Sequence, residues 1–216
     1  MDPVAADRAL VARLLAAPPD TEGVAGFVPG PGIARLGLRL DPDRLRDALD
    51  AVLARQGWTG DHQVEGFAGI PVTRRPGQTE WTAADLSGRY WLRGAAYAEV
   101  PREPLVDEAA FSETAPAVRG TYFEEVLAAL RRRFRLGRVR LLSKGLYNCN
   151  SWHRDPEPRL HVPIVSNPGS LFVVNNHCTH LPADGSVYFT DTRGYHTALN
   201  GGETRRVHLV AALVAA

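Results

Sequence analysis

From residue 138 onward the chain is a train of short apolar stretches cut at close intervals by turn residues: "RVRLLSKGLYN", "RLHVPIV", "SLFVVNN", "SVYFTD" and "RRVHLVAALV". Each is rich in β-branched, leucine and aromatic residues and is bounded by Gly, Pro, Asn or Asp, the pattern of a β-strand between turns. A cluster of such strands following a helix-rich first half predicts an α+β fold, mainly β in its second part. Helices would then pack on the outside of a sheet sandwich or barrel.

The first half supplies those helices. Residues 1–32 read as a short amphipathic helix and a Pro/Gly-rich connector, "PPDTEGVAGFVPGPG". "IARLGLRL" alternates like a strand. "DPDRLRDALDAVLARQG" offers Asp41 as N-cap, Pro42 at the first helical position and a closing glycine. Leu45, Leu49, Val52 and Leu53 fall on one face of that helix. "TYFEEVLAALRRRF" is a second amphipathic helix, burying Phe123, Val126, Leu127 and Leu130. Residues 58–118 mix prolines, glycines and aromatics without a clear period. No internal repeat divides the chain. One domain over 1–216 is expected, with 1–136 as a helix-rich flanking part and 137–216 as the strands that carry the site.

Composition narrows the function. At 216 residues, with 44% hydrophobic and 23% charged side chains, the chain can bury a full core. Its net charge of +1 gives no electrostatic ground for nucleic acid or an anionic membrane as partner. The one dense basic run, "RRRFR" at 131–135, sits at a helix end, where cations complement the dipole. No apolar run is long enough to span a bilayer, and the N-terminal segment lacks the pattern of a signal peptide. The two cysteines, Cys149 and Cys178, form no CxxC, so a reduced, cytoplasmic setting is expected.

The chemistry concentrates in "SWHRDPEPRLHVPI", residues 151–164. His153 and Asp155 are two apart, so in an extended segment they leave one face with Cβ atoms about 6.6 Å apart. Two metal–ligand bonds of about 2.1 Å meeting at right angles need donor atoms about 3 Å apart, within reach of both side chains. His196, in "FTDTRGYHTALN", is placed to supply a third ligand. Two histidines and one carboxylate on one face of an octahedron leave three open positions, the set used by non-haem Fe(II) oxygenases. In the last strand Arg206, His208 and Val210 share one face, and Arg205, Val207 and Leu209 share the other. An arginine inside a barrel cannot shed its charge and needs an anion. A dicarboxylate co-substrate would supply it.

With these residues in view, "HRDPEPRLHVPIVSN", "HLPADGSVYFTDTRGYHTALN" and "RRVHLV" together resemble the aspartyl/asparaginyl β-hydroxylase-like family of Fe(II)- and 2-oxoglutarate-dependent dioxygenases, in its small bacterial amino-acid hydroxylase form. The resemblance covers about residues 138–212. It implies a double-stranded β-helix, a cupin-like jelly roll with helices outside it. It implies His153, Asp155 and His196 as ligands of Fe(II), with Arg206 on the distal carboxylate of 2-oxoglutarate. Ser143 would assist there, and Arg159 and His161 would lie near the iron-bound end. The implied reaction consumes O2, converts 2-oxoglutarate to succinate and CO2, and hydroxylates an unactivated C–H of an amino acid, free or in a peptide or biosynthetic intermediate. Some vertebrate-type members lack the carboxylate ligand; Asp155 places this chain with the three-ligand form. A cupin-type isomerase, or a binding or sensor module without turnover, would share the barrel and metal ligands, but an isomerase would not need Arg206.

The remaining polar residues carry weaker expectations. The "HCTH" at 177–180 lacks a fourth zinc ligand at sensible spacing. His180 is a candidate for the substrate opening, His208 for a core residue, Arg205 for a surface charge and Asp191 for a turn residue or a support behind the metal ligands rather than a ligand itself. Trp58, Trp81, Tyr90, Trp91 and Arg93 are candidates for a substrate mouth. Arg93, Arg119 and Lys144 are candidates for a substrate carboxylate. Partners other than a small molecule or peptide are not indicated, and the oligomeric state is not legible.

Overall fold

The computed structural model describes residues 3–16, 27–60, 66–86, 91–93, 99–101 and 105–214. The first half runs α1 (Pro3–Ala16), β1 (Ile33–Arg39), α2 (Pro42–Gln56), β2 (Phe67–Pro71), β3 (Thr73–Arg74), α3 (Ala83–Leu86), β4 (Trp91–Arg93), β5 (Glu99–Pro101), β6 (Glu113–Thr114) and α4 (Tyr122–Arg131). The second half is strands: β7 (Leu136–Lys144), β8 (Asn148–Cys149), β9 (His153–Arg154), β10 (Arg159–Val165), β11 (Ser170–Val174), β12 (His177–His180), β13 (Ser186–Thr190), β14 (His196–Asn200) and β15 (Arg206–Leu213).

Two antiparallel sheets form the jelly-roll core. The major sheet has the order β1-β13-β10-β15-β7-β2, and the minor sheet the order β12-β11-β14-β9-β4-β5, with β8 also on β14. Strands from the first half therefore close both edges of the major sheet: β1 joins β13, and β2 joins β7. The "IARLGLRL" alternation announces β1. The β2 sequence, "FAGIP", carries a glycine and a proline and is buried at four of its five positions, so it shows no period-two signal.

The outer face of the major sheet is apolar and lies under the helices. Val139 and Leu141 of β7, Leu160, Val162 and Ile164 of β10, and Val207, Leu209 and Ala211 of β15 meet Leu45, Leu49 and Val52 of α2 and Phe123, Val126, Leu127 and Leu130 of α4. The α2 cap is the one its sequence predicts, and α4 has a cap of the same kind. Asp41 Oδ1 accepts from the backbone N–H of Asp43 (3.0 Å) and Arg44 (3.1 Å), and Thr121 Oγ1 caps α4 through Phe123 N–H. The basic run after α4 is exposed at Arg131, Arg132, Arg133 and Arg135. The amphipathic reading of α1 does not extend to packing: Val4, Leu10, Val11 and Leu15 are exposed. Cys149 and Cys178 are free and exposed. Among the described residues, no helix is long and apolar enough to cross a membrane.

Phe123 is fully buried between α4 and the sheet. Phe123→Ala removes most of that side chain and is expected to cost about 3–5 kcal/mol of unfolding free energy, read as a lower denaturant midpoint.

Candidate metal centre

The two histidines meet because their strands do. His153 on β9 is the register partner of His196 on β14. Directly opposed residues leave an antiparallel pair on the same face, and here the ring centroids are 4.3 Å apart. Asp155 follows β9 at once. Its backbone N–H donates to Thr192 O at 2.8 Å, which pins the carboxylate to the loop leading into β14. The ligating atoms of His153, Asp155 and His196 lie within 4.8 Å of one another, and all three residues are buried.

Each ring is oriented by the same local device. His153 Nδ1 lies 2.6 Å from the carbonyl of Ser151, and His196 Nδ1 lies 3.1 Å from that of Gly194. A carbonyl only accepts, so Nδ1 carries the proton and Nε2 keeps its lone pair for a metal. Burial, and then the neighbouring His196, pulls His153 down to about 4; burial also lowers His196. Both imidazoles are therefore neutral at neutral pH, as ligation requires.

Asp155 is held from one side. Arg159 Nε donates to its Oδ2 at 2.7 Å, and the same oxygen lies 3.6 Å from His196 Nε2. Its other oxygen, Oδ1, is buried with no hydrogen-bond partner among the described residues. Arg159 is itself buried. Burial opposes its charge, but Asp155, Glu108 and Glu157 around it outweigh that and raise its pKa. Behind it, despite burial, the Arg138 guanidinium holds Glu108 down to about 2, with Arg138 Nη2 and Glu108 Oε1 2.6 Å apart.

These groups open on a cavity of 710 Å³ between the two sheets. Arg206 lines it from β15, fully buried, and no carboxylate pairs with it among the described residues. Its Nη2 lies 2.9 Å from His208 Nδ1. Burial alone pulls Arg206 down to about 9, the mark of a charge set in the interior without an anion. Its register partner on β7 is Lys144, whose Nζ donates to Asn148 Oδ1 (2.8 Å) and Asn150 Oδ1 (2.5 Å). Two cations thus stand side by side on the cavity face.

Ser143 and Lys144 both border the cavity; Lys144 is the register partner of Arg206, and Ser143 that of Val207. Arg159 and His161 both line the cavity, with Arg159 committed to Asp155 and His161 Nδ1 3.3 Å from His208 Nδ1. Arg205 is exposed, in keeping with the alternation read for β15.

Among the mouth candidates, Trp81 lines the cavity, together with Phe67 and Thr82; Trp58 packs against the outer core instead. Tyr90 lies outside the described residues, and Trp91 and Arg93 are described only as strand positions of β4. Arg119 is exposed and away from the cavity lining. His180 borders a different cleft, beside Arg46 and Pro182, and its Nδ1 bonds Ser170 O at 2.9 Å. The "HCTH" donors do not converge: Cys178 is exposed and His177 Nε2 bonds Val28 O. Asp191 pairs with Arg193 at the surface. Sequence reasoning missed Arg140, which lines the cavity from the Lys144 face of β7 and donates to Leu86 O at 2.7 Å; its i, i+2, i+4 phase with Leu142 and Lys144 was the available signal.

No protein-family model matches the chain, and no curated protein matches it. Solved structures do share its fold. A 2OG-Fe(II) oxygenase family oxidoreductase from Burkholderia pseudomallei aligns with 17% identity and a TM-score of 0.52, covering 84% of each chain. A prolyl-4-hydroxylase from Pseudomonas putida aligns with 10% identity and a TM-score of 0.51, covering 85% of this chain and 93% of that one. At such identities the likeness is one of fold: the chain adopts the jelly-roll architecture on which these oxygenases are built.

Proposed function

We propose that the protein is an Fe(II)- and 2-oxoglutarate-dependent dioxygenase, one domain over 1–216, that hydroxylates an unactivated C–H of an amino acid, free or within a peptide or biosynthetic intermediate. One observation carries this reading. A buried His/Asp/His cluster with two bare Nε2 atoms shares a cavity with Arg206, a buried arginine that no described carboxylate neutralises.

The residues fit the group. Two neutral imidazoles and a carboxylate form a donor set suited to Fe(II), and the buried, unshared Asp155 Oδ1 is an acceptor that a cation would satisfy. His153, Asp155 and His196 would hold the iron. Arg206 would hold the distal carboxylate of 2-oxoglutarate through charge-assisted hydrogen bonds, with Lys144 beside it. When bound, iron would activate O2 with two electrons given up by 2-oxoglutarate as it is converted to succinate and CO2, which would make the oxygen reactive toward a C–H bond. The chain's own part is orientation. Ser151 and Gly194 fix the rings, Arg159 fixes the carboxylate, and Trp81 and Phe67 wall the space in which a substrate carbon would be held close. The fold shared with the Pseudomonas putida prolyl-4-hydroxylase supports an amino-acid carbon as target. Assignment to the aspartyl/asparaginyl β-hydroxylase-like branch rests on the quoted motifs, and a cytoplasmic setting on the two unpaired cysteines.

The function test is a screen of amino acids and peptides for succinate formation with Fe(II), 2-oxoglutarate and 18O2. One 18O atom should enter the product, and His196→Ala should abolish turnover. Product oxygen from water, or full activity in His196→Ala, would end the reading.

Two variants separate anchor from bystander. Arg206→Ala should lower the affinity for 2-oxoglutarate at least about tenfold, as expected when one partner of a buried charged pair is lost. Arg205→Ala should leave it nearly unchanged, and the reverse order would contradict the strand phase.

Arg159 acts through Asp155 rather than on the iron. Arg159→Ala should weaken metal binding by about 10–100-fold, measured by titration of the metal-free protein with Mn(II). An unaltered affinity would show that Asp155 keeps its pose unaided.

A further inference from the structure

The cavity wall carries more positive charge than iron and 2-oxoglutarate call for. Among the described residues that line it, Arg140, Lys144, Arg159 and Arg206 are cations, and Asp155 alone is an anion. Arg159 and Asp155 offset one another at 2.7 Å. A divalent metal and a dicarboxylate, bound together, leave the balance as it was. Three cations therefore still face the cavity once both are in place, Arg140 and Lys144 each 2% exposed and Arg206 5%. Lys144 and Arg206 are register partners and share one end. Arg140 stands apart from them. It precedes Lys144 by four residues on β7, so their Cα atoms are about 13 Å apart. Its row crosses the sheet toward the metal, because Arg140 pairs with Val210, and Val210 with His161. The Phe172 ring lies 5.0 Å from that of His161 and 5.8 Å from that of His196. The surroundings hold Arg140 in place. Its Nη1 donates to Leu86 O at 2.7 Å, an acceptor that orients the guanidinium without cancelling its charge. Leu86, Thr82 and Trp81 line the cavity beside it. Asp85 pins that segment, its buried carboxylate accepting from Thr82 N–H and Oγ1 (both 2.9 Å), Gln78 Nε2 (2.8 Å) and Arg75 Nη1 (2.7 Å).

We propose that Arg140 is the anion site for the substrate: it binds a carboxylate of the molecule to be hydroxylated, with Trp81 as a wall for the carbon chain. This rests on the dioxygenase reading for the role of that molecule, and it narrows the substrate to one that carries a carboxylate. A guanidinium presents its donors as a fork matched to a carboxylate. Removed from water, such a pair attracts more strongly than it would at the surface. The distal carboxylate of 2-oxoglutarate belongs to the Arg206 end, and its other end to the metal, so the anion at Arg140 is a third carboxylate. A cavity of 710 Å³ falls in the range that holds a drug-sized ligand, enough for two small molecules side by side. The α-carboxylate of a free amino acid and the side chain of an acidic residue share the required chemistry.

The test is calorimetry on the full chain loaded with Mn(II) and 2-oxoglutarate. The probes are the common L-amino acids, their primary amides, and Asp, Asn, Glu and Gln each capped at both termini. At least one acid should bind, and its uncharged amide at least about tenfold more weakly, as for a lost hydrogen bond to a charged group. A free amino acid that binds puts an α-carboxylate on Arg140, and a capped Asp or Glu puts a side-chain carboxylate there; both support the proposal. Equal binding of acid and amide, or no bound acid, overturns it. The variant arm assigns the residue. Arg140→Gln should weaken the bound acid at least about tenfold and 2-oxoglutarate by less, with partial recovery in Arg140→Lys, which restores the charge. A probe that coordinates the metal directly would also prefer acid to amide, but Arg140→Gln would leave it unchanged, and that result overturns the assignment. Equal loss of probe and 2-oxoglutarate overturns it too, as the mark of a structural residue. Where Arg140→Gln does not fold, Arg140→Lys decides: it should weaken the probe while sparing 2-oxoglutarate, and an unchanged probe affinity counts against Arg140. If the wild type with Mn(II) alone binds an acid that Arg140→Gln loses, yet takes up no 2-oxoglutarate, the dioxygenase reading fails and the anion site survives it.

Discussion

The site depends on one antiparallel register pair, His153 opposite His196. Sliding either strand by one residue would send one imidazole to the other face of the minor sheet. In register, two neutral rings stand 4.3 Å apart, each with Nδ1 tied to a carbonyl two residues earlier in its own loop. That i to i−2 contact lies in the segment entering each strand, so ring orientation is fixed where the strand begins. The pair is costly to charge, because burial and mutual repulsion both act against a proton. A cation other than H+ is the economical occupant.

The major sheet turns opposite characters to its two sides. Its helix-covered face is an ordinary apolar core from Val139 to Ala211. The cavity face carries Arg140, Lys144, Arg159, His161 and Arg206, nearly all removed from water. Burying that much charge would be destabilising on its own account. The fold meets the cost locally, with Asp155 for Arg159 and two asparagine amides around Lys144. Among the described residues, Arg206 has only a neutral histidine. The apolar face supplies the stability that lets the other face keep an unneutralised charge, and a bound anion would return part of it.

Much of this was legible in the chain. The two-residue spacing of His153 and Asp155 and the alternation along β15 depend only on local geometry, so that pair and the shared face of Arg206 and His208 are legible in the chain, whereas His196 meets the pair only through the β9–β14 register. Which of Ser143 and Lys144 stands opposite Arg206 is not legible. "RVRLLSK" has leucines at adjacent positions, 141 and 142, so its hydrophobic pattern fits either phase, and pairing with β15 decides. The sequence marks His208 only as a core residue, because its contacts, one from its own strand and one from β10, arise only when the sheet forms. Residues 58–118 hid β2 for a related reason: a strand buried on both faces and containing Gly and Pro loses the alternation that marks it. The exposed apolar residues of α1 show the reverse limit, since periodicity reports a face and not what covers it.

Arg159 joins the local and the long-range parts of the argument. It follows Asp155 by four residues across "DPEPR", where Pro156 and Pro158 each fix a backbone angle. The short, stiff link brings the guanidinium back onto Asp155 Oδ2 at 2.7 Å. That bond uses one of the five N–H donors of the guanidinium. It also divides the two oxygens of Asp155. Oδ2 is shared with Arg159, and Oδ1 is buried and unshared. A carboxylate held in this way faces the two bare imidazole nitrogens in a fixed pose before any cation arrives, so little ordering is left to be done on binding.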